Sequence, residues 1–153
     1  MLNLQLKIPP LVLMIILALI MQLTSLLLPG IRIPILYKIT AFVLTAGVGI
    51  AFTISGGLTF RKAKTTFNPM TPNESSSLVT DGIYRRTRNP MYLGFLLVLI
   101  GWGLFLSNIF SLAVCAGFVL YMNSWQIKPE ESALEIIFGD DYLAYKSRVR
   151  RWL

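Results

Sequence analysis

A tyrosine, three arginines and a short asparagine-proline box crowd one threshold of this chain: Tyr84, Arg85, Arg86 and Arg88, then Asn89-Pro90-Met91-Tyr92, all within the stretch LVTDGIYRRTRNPMYLG from Leu78 to Gly94. Here a polar, basic loop runs without a break into an apolar segment. A second polar group, the acid pair Glu130-Glu131, follows Pro129 after the last long apolar run. Tyrosine faces attract a cation, each contributing about 0.5–2 kcal/mol. The two carboxylates accept bonds from hydroxyl or amino groups, and Arg88 can hold a carboxylate or phosphate through two parallel bonds. Each residue also has a plainer use. Pro90 suits the first turn of a helix, Glu130 and Glu131 complement the dipole of another, and the arginines and tyrosines can act as interfacial anchors.

Composition narrows the chemistry further. The 153 residues are 55% hydrophobic and 14% charged, with a mean hydropathy of +0.66, against a charged fraction near a quarter in soluble domains. Such a chain belongs in a bilayer. It contains no histidine, which excludes imidazole acid–base work, Ser-His-Asp and Cys-His nucleophiles and nearly every zinc site. The single cysteine, Cys115, lies in an apolar run and reads as a small hydrophobe, and no metal site is expected. The net charge of +7 flanks apolar spans and forms no single basic face, so anionic lipid headgroups are the expected partner and nucleic acid is not.

Four apolar stretches must position these groups. Residues 11–28, 35–60, 91–106 and 109–125 read as membrane-spanning helices, each near the length that hydrocarbon demands. The first lacks the cleavage site and short core of a removed leader. Lys38 can snorkel outward from the second span, whose Ala46, Gly47, Gly49, Ala51, Ser55, Gly56 and Gly57 permit close helix contact. Residues 61–90 form a long polar loop and 128–153 a charged tail. In that tail Gly139 ends one helix and Asp140 caps another, on which Tyr142, Tyr145 and Val149 share a face. Four spans put twelve of the fourteen lysines and arginines on the side of the loop and tail, leaving Arg32 and Lys38 on the other. The loop and the C-terminus are therefore expected in the cytoplasm. The expected fold is an all-α integral membrane bundle, one domain over residues 1–153.

The stretch Leu78-Val79-Thr80-Asp81-Gly82-Ile83-Tyr84, the box Arg88-Asn89-Pro90-Met91-Tyr92-Leu93-Gly94, and Glu130-Glu131 with Leu134, Phe138-Gly139, Tyr142, Tyr145 and Val149 together resemble the isoprenylcysteine carboxyl methyltransferase family, with its bacterial and phospholipid N-methyltransferase relatives. The likeness covers roughly residues 45–153 and leaves the first span outside. It implies a membrane enzyme, of the bacterial inner membrane, that uses S-adenosyl-L-methionine to methylate a lipophilic or small hydrophobic acceptor bearing a carboxylate, amine or thiol. It also implies cofactor contacts at Ser76, Ser77, Leu78, Val79, Tyr84, Asn89, Pro90, Met91, Tyr92 and Glu130, with Glu131 able to accept similar bonds. Arg88 then falls near the reacting groups as the candidate catalytic residue. Two positions depart from the eukaryotic members: Asn89 stands where they have histidine, and Gln126 where they have an arginine tied to the acceptor. The second departure counts against a prenylcysteine carboxylate.

Transfer of a methyl group from a sulfonium needs no protein nucleophile. It needs donor and acceptor held in line and water kept out. The alternative is a non-enzymatic membrane scaffold or lipid-binding protein with the same fold. A transporter fits less well, since the spans carry no buried charge to mark an ion path. Oligomeric state is left open by the sequence.

Overall fold

The computed structural model describes residues 5–63 and 77–153, and every regular element among them is helical. α1 (Pro10–Leu27), α2 (Ile35–Lys62), α3 (Pro90–Leu106) and α4 (Ile109–Tyr121) correspond to the four apolar stretches. A six-residue π-turn (Met122–Ile127) leads from α4 directly into α5 (Lys128–Arg148), and a 3₁₀ turn, Gly82–Arg85, precedes α3. Prolines set the starts. Pro10 and Pro90 occupy first-turn positions, where a missing N–H leaves nothing unpaired, Pro34 stands just ahead of α2, and Pro129 is the second residue of α5.

Among the described residues, three helical stretches are long and apolar enough to cross a membrane: α1, α2 and the 40-residue stretch Ile109–Arg148, a rod unbroken as far as Phe138; α3 is apolar but shorter, at 17 residues. The rod's apolar first part suits lipid, and the charged part from Lys128 does not. Leu19, Leu23, Leu36 and Leu44 point outward from α1 and α2. In a bilayer that exposure costs nothing, because lipid tails are as apolar as leucine.

The broadest helix pairing is α2 against α3. Its basis is the absence of side chains: a Cβ on Gly49 would sit 2.6 Å from the Gly94 carbonyl oxygen, and one on Gly94 would collide with Thr53 Oγ1 and the Gly49 carbonyl. Only some of the small residues serve this contact. Ala46, Gly49 and Gly56 are buried, whereas a Cβ at Gly47 or Gly57 would meet nothing within 4 Å.

α1 locks to its neighbours through polar groups satisfied inside the apolar layer. Trp102 Nε1 donates to the Ala18 carbonyl (3.2 Å) and Ser111 Oγ to that of Met21 (2.8 Å). The two tight turns at this end are pinned together as well. Ile31 N–H donates to the Ser107 carbonyl (2.7 Å), and Asn108 Nδ2 to that of Leu28 (2.9 Å).

The expected gap between the fourth span and the tail is filled by helix. Pro129 explains the π-turn there: its ring would clash with the carbonyl one turn back, that of Trp125, and it offers no N–H in return. Widening the turn relieves the clash, and Leu6 N–H takes up the Trp125 carbonyl at 3.1 Å. Further along, Gly139 leaves helical geometry (φ 50°, ψ −126°) and divides α5 into two arms. That backbone favours glycine. The second arm carries Tyr142 and Tyr145 inward, where with Val79 and Tyr84 they form a cluster separate from the lipid-layer core of Met21, Leu99, Phe118 and Met122.

Candidate active site

Two helix starts meet at the polar end of the bundle. Pro90 opens α3 and Pro129 opens α5, so Tyr92 and Glu130 both fall in first turns. Tyr92 Oη donates to Glu130 Oε1 at 2.6 Å, and Gln126 Nε2 donates to the same oxygen. Both bonds fall on Oε1. Gln126 lies one helical turn before Glu130 in the unbroken run from the π-turn into α5.

The two adjacent glutamates are tuned in opposite directions. Burial pushes the Glu130 carboxyl up to about 7; the bonds from Tyr92 and Gln126 pull it down, and the neighbouring charge of Glu131 adds to the rise. Burial also pushes Glu131 up, but hydrogen bonds from Arg151 and Arg88 outweigh it and hold the carboxyl below its usual value. Glu131 Oε1 faces Arg88 Nη2 at 2.7 Å, and its Oε2 faces Arg151 Nη2 at 2.6 Å. Arg88 and Glu131 are both more than nine-tenths buried as side chains.

The remaining sequence candidates spread around this centre. Arg88 Nη1 donates to the carbonyls of Lys146 and Val149, and its Nε alone has no partner. Asn89 Nδ2 donates to the Arg151 carbonyl at 2.9 Å, while the Asn89 N–H reaches Thr87 Oγ1 at 3.2 Å. Pro90 and Met91 pack on α2 at Gly56. Tyr84 stands edge-on to Phe60 (5.3 Å, 83°), its carbonyl accepts from Tyr145 Oη (2.8 Å), and it is close enough to feel the Glu130 charge. Leu78 and Val79 pack in the same tyrosine cluster. Ser77 Oγ donates to the Ala63 carbonyl at 3.5 Å, and Ser76 lies outside the described residues. An open cleft of about 400 Å³, bordered by Thr80, Arg85, Tyr145 and Arg148, lies beside the tyrosine cluster and is not lined by Tyr92 or Glu130.

Sequence reasoning missed three participants: Gln126 as a partner of Glu130, Arg151, and Asn123, which accepts from both Arg151 Nη1 (3.3 Å) and Trp152 Nε1 (3.2 Å). Gln126 had a readable signal, its four-residue spacing to Glu130. Arg151 had none, being one of several basic residues at the end of the tail.

Residues 37–141, from the start of α2 through the Tyr92 and Glu130 turns, match the phospholipid methyltransferase family. The chain belongs to that family. It is also similar to named proteins: 36% identical over 77 residues to a protein-S-isoprenylcysteine O-methyltransferase of Schizosaccharomyces pombe, covering 50% of this chain and 33% of that protein. Against the Homo sapiens protein-S-isoprenylcysteine O-methyltransferase the figures are 35% over 95 residues, 57% and 32%. An uncharacterized Haemophilus influenzae protein is 48% identical over 63 residues, 41% of this chain and 100% of that protein. The chain thus spans about a third of the length of the isoprenylcysteine methyltransferases it matches. Together with the apolar helices, these likenesses make it a member of a family of membrane methyltransferases.

Proposed function

We propose that this chain is an S-adenosyl-L-methionine-dependent methyltransferase that works at the membrane surface on a lipophilic or small hydrophobic acceptor, with the 61–90 loop and C-terminus in the cytoplasm of a bacterial inner membrane. The observation that carries the reading is the contact of Tyr92 with Glu130, which joins the loop-proximal end of α3 to the start of the tail at one site. The residues fit the donor. The Glu130 carboxylate can accept from a hydroxyl or amino group, and the Tyr84 and Tyr92 rings suit a cation. Ser77, Leu78, Val79, Asn89, Pro90 and Met91 complete the assigned cofactor shell, with Ser76 beyond the described residues.

Bound there, S-adenosyl-L-methionine supplies a methyl carbon activated on a sulfonium. The protein's share is orientation and exclusion of water, which together account for several kcal/mol of a barrier. Burial at the head of α5 makes Glu130 a poor anion until a cation or donor group arrives, and ionised Glu130 is the better acceptor of such bonds. Arg88 serves differently from the sequence expectation. With Nη1 and Nη2 spent on Glu131 and the tail carbonyls, it acts as a clamp between loop and tail, and only Nε remains for an acceptor. Gln126, in place of an arginine, favours an acceptor that carries no carboxylate.

Incubation of detergent-purified protein with methyl-labelled S-adenosyl-L-methionine and a panel of membrane lipids, amines and thiols tests this. A labelled lipophilic product is expected. No label in any acceptor, alongside intact binding of S-adenosylhomocysteine, would turn the reading toward a scaffold that only binds the donor.

A further inference from the structure

The Arg151 side chain bonds to the π-turn and to α5, and its backbone carbonyl bonds to the segment before α3. Its Nη2 and Nε meet Glu131 at 2.6 and 3.1 Å, and its Nη1 meets Asn123 Oδ1 at 3.3 Å. Its own carbonyl accepts from Thr87 Oγ1 (3.2 Å) and Asn89 Nδ2 (2.9 Å). Beside it, the Arg150 carbonyl accepts from the Arg88 N–H at 3.0 Å. The three residues that lead into α3 are therefore laced to the strap Val149–Trp152, and the strap is laced to the head of α5.

This lacing matters because α3 and α5 share no broad seam of their own; the extensive pairing is α2 with α3. The approach of Tyr92 to Glu130 must then be set by groups that bridge the two helix starts. Arg151 lies beyond residues 37–141, the stretch that matches the family. We propose that Arg151 is a positioning residue of the donor site: by tying Thr87-Arg88-Asn89 to Glu131 and Asn123, it fixes the spacing between Tyr92 and Glu130. This inference rests on the donor-site reading above. It differs from a purely stabilising role, because Glu131 keeps its partner Arg88 when Arg151 is removed, so no buried charge is left unpaired.

The test uses the full chain in detergent, comparing wild type with Arg151→Ala and Arg151→Lys. Calorimetric titration with S-adenosylhomocysteine should show affinity falling about tenfold or more in Arg151→Ala, as for loss of one charge-assisted contact. Arg151→Lys should recover part of it, since a lysine can reach Glu131 but cannot fork to Asn123 as well. Hydrogen exchange at residues 87–89 should accelerate in Arg151→Ala. Unchanged affinity or unchanged exchange overturns the proposal. Should wild type give no heat with S-adenosylhomocysteine, the donor reading fails by itself. The infrared titration of the Glu130 carboxyl, identified with Glu130→Gln, then decides the strap's role. A midpoint that moves in Arg151→Ala supports the role, and one that stays overturns it.

Discussion

The lipid-embedded half of this molecule and its polar end are held together by opposite means. Along α2 and α3 the helices meet because side chains are missing, at Gly49 and Gly94, and the fit is one of shape. At the head of α5, separate elements are joined by charged side chains, Arg88, Glu131 and Arg151, that reach across gaps. The first kind of contact has no titratable part and little tolerance for added volume. The second tolerates shape changes but depends on ionisation.

Substitutions should separate the two regions. The largest effect is expected from Gly94→Leu, whose side chain has nowhere to go between Thr53 and Gly49; the folded, monodisperse species in detergent should be lost on size-exclusion chromatography. Next comes Glu131→Ala, which leaves Arg88 buried without its carboxylate and should lower stability by about 3–5 kcal/mol, the usual cost of breaking a buried pair from one side. Denaturant or thermal unfolding in detergent reads it. If Glu131→Ala proved as mild as a surface change, the polar end would not be held by charge.

The two glutamates sharpen the contrast through pH. Glu131 has a folded-state value below its usual 4.5, so its stabilisation is full above about pH 4.5 and is lost as pH falls through the folded value. Glu130, raised to about 7 from 4.5, binds its proton more tightly in the folded chain than in the unfolded one. Stability without ligand should therefore decline as pH rises from about 4.5 to 7. Affinity for S-adenosylhomocysteine should move the other way, increasing across pH 7 as Glu130 ionises. Glu130→Gln should flatten both slopes. The smallest effect is expected at Gly57→Ala, where a Cβ meets nothing; a change in Tm equivalent to no more than about 1 kcal/mol, in the stabilising direction, fits a helix glycine replaced by alanine.

Much of the fold was legible because its signals are local. Apolar runs of spanning length gave the helices, and Pro90 marked the start of α3. Gly139 marked the break in the tail. The continuity of α4 with α5 was hidden, because Pro129 after a long helix reads as a stop when the chain does not show that a π-turn can absorb it. Within the site, Tyr92 and Glu130 were legible from their boxes, and Gln126 was only half so. The strap was not legible at all. The bonds that Arg151 makes with Thr87, Asn89 and Glu131 join residues far apart in sequence, and no periodicity reports them.

The central claim is that Tyr92 and Glu130 together grip a methyl donor at the edge of the membrane. Isothermal titration of detergent-purified wild type, Glu130→Ala and Tyr92→Ala with S-adenosylhomocysteine addresses it most directly. Saturable heat for wild type is expected, with affinity lower by about tenfold or more in each variant while circular dichroism stays unchanged. Equal affinity in all three proteins, or no heat from the folded wild type at millimolar ligand, would contradict it.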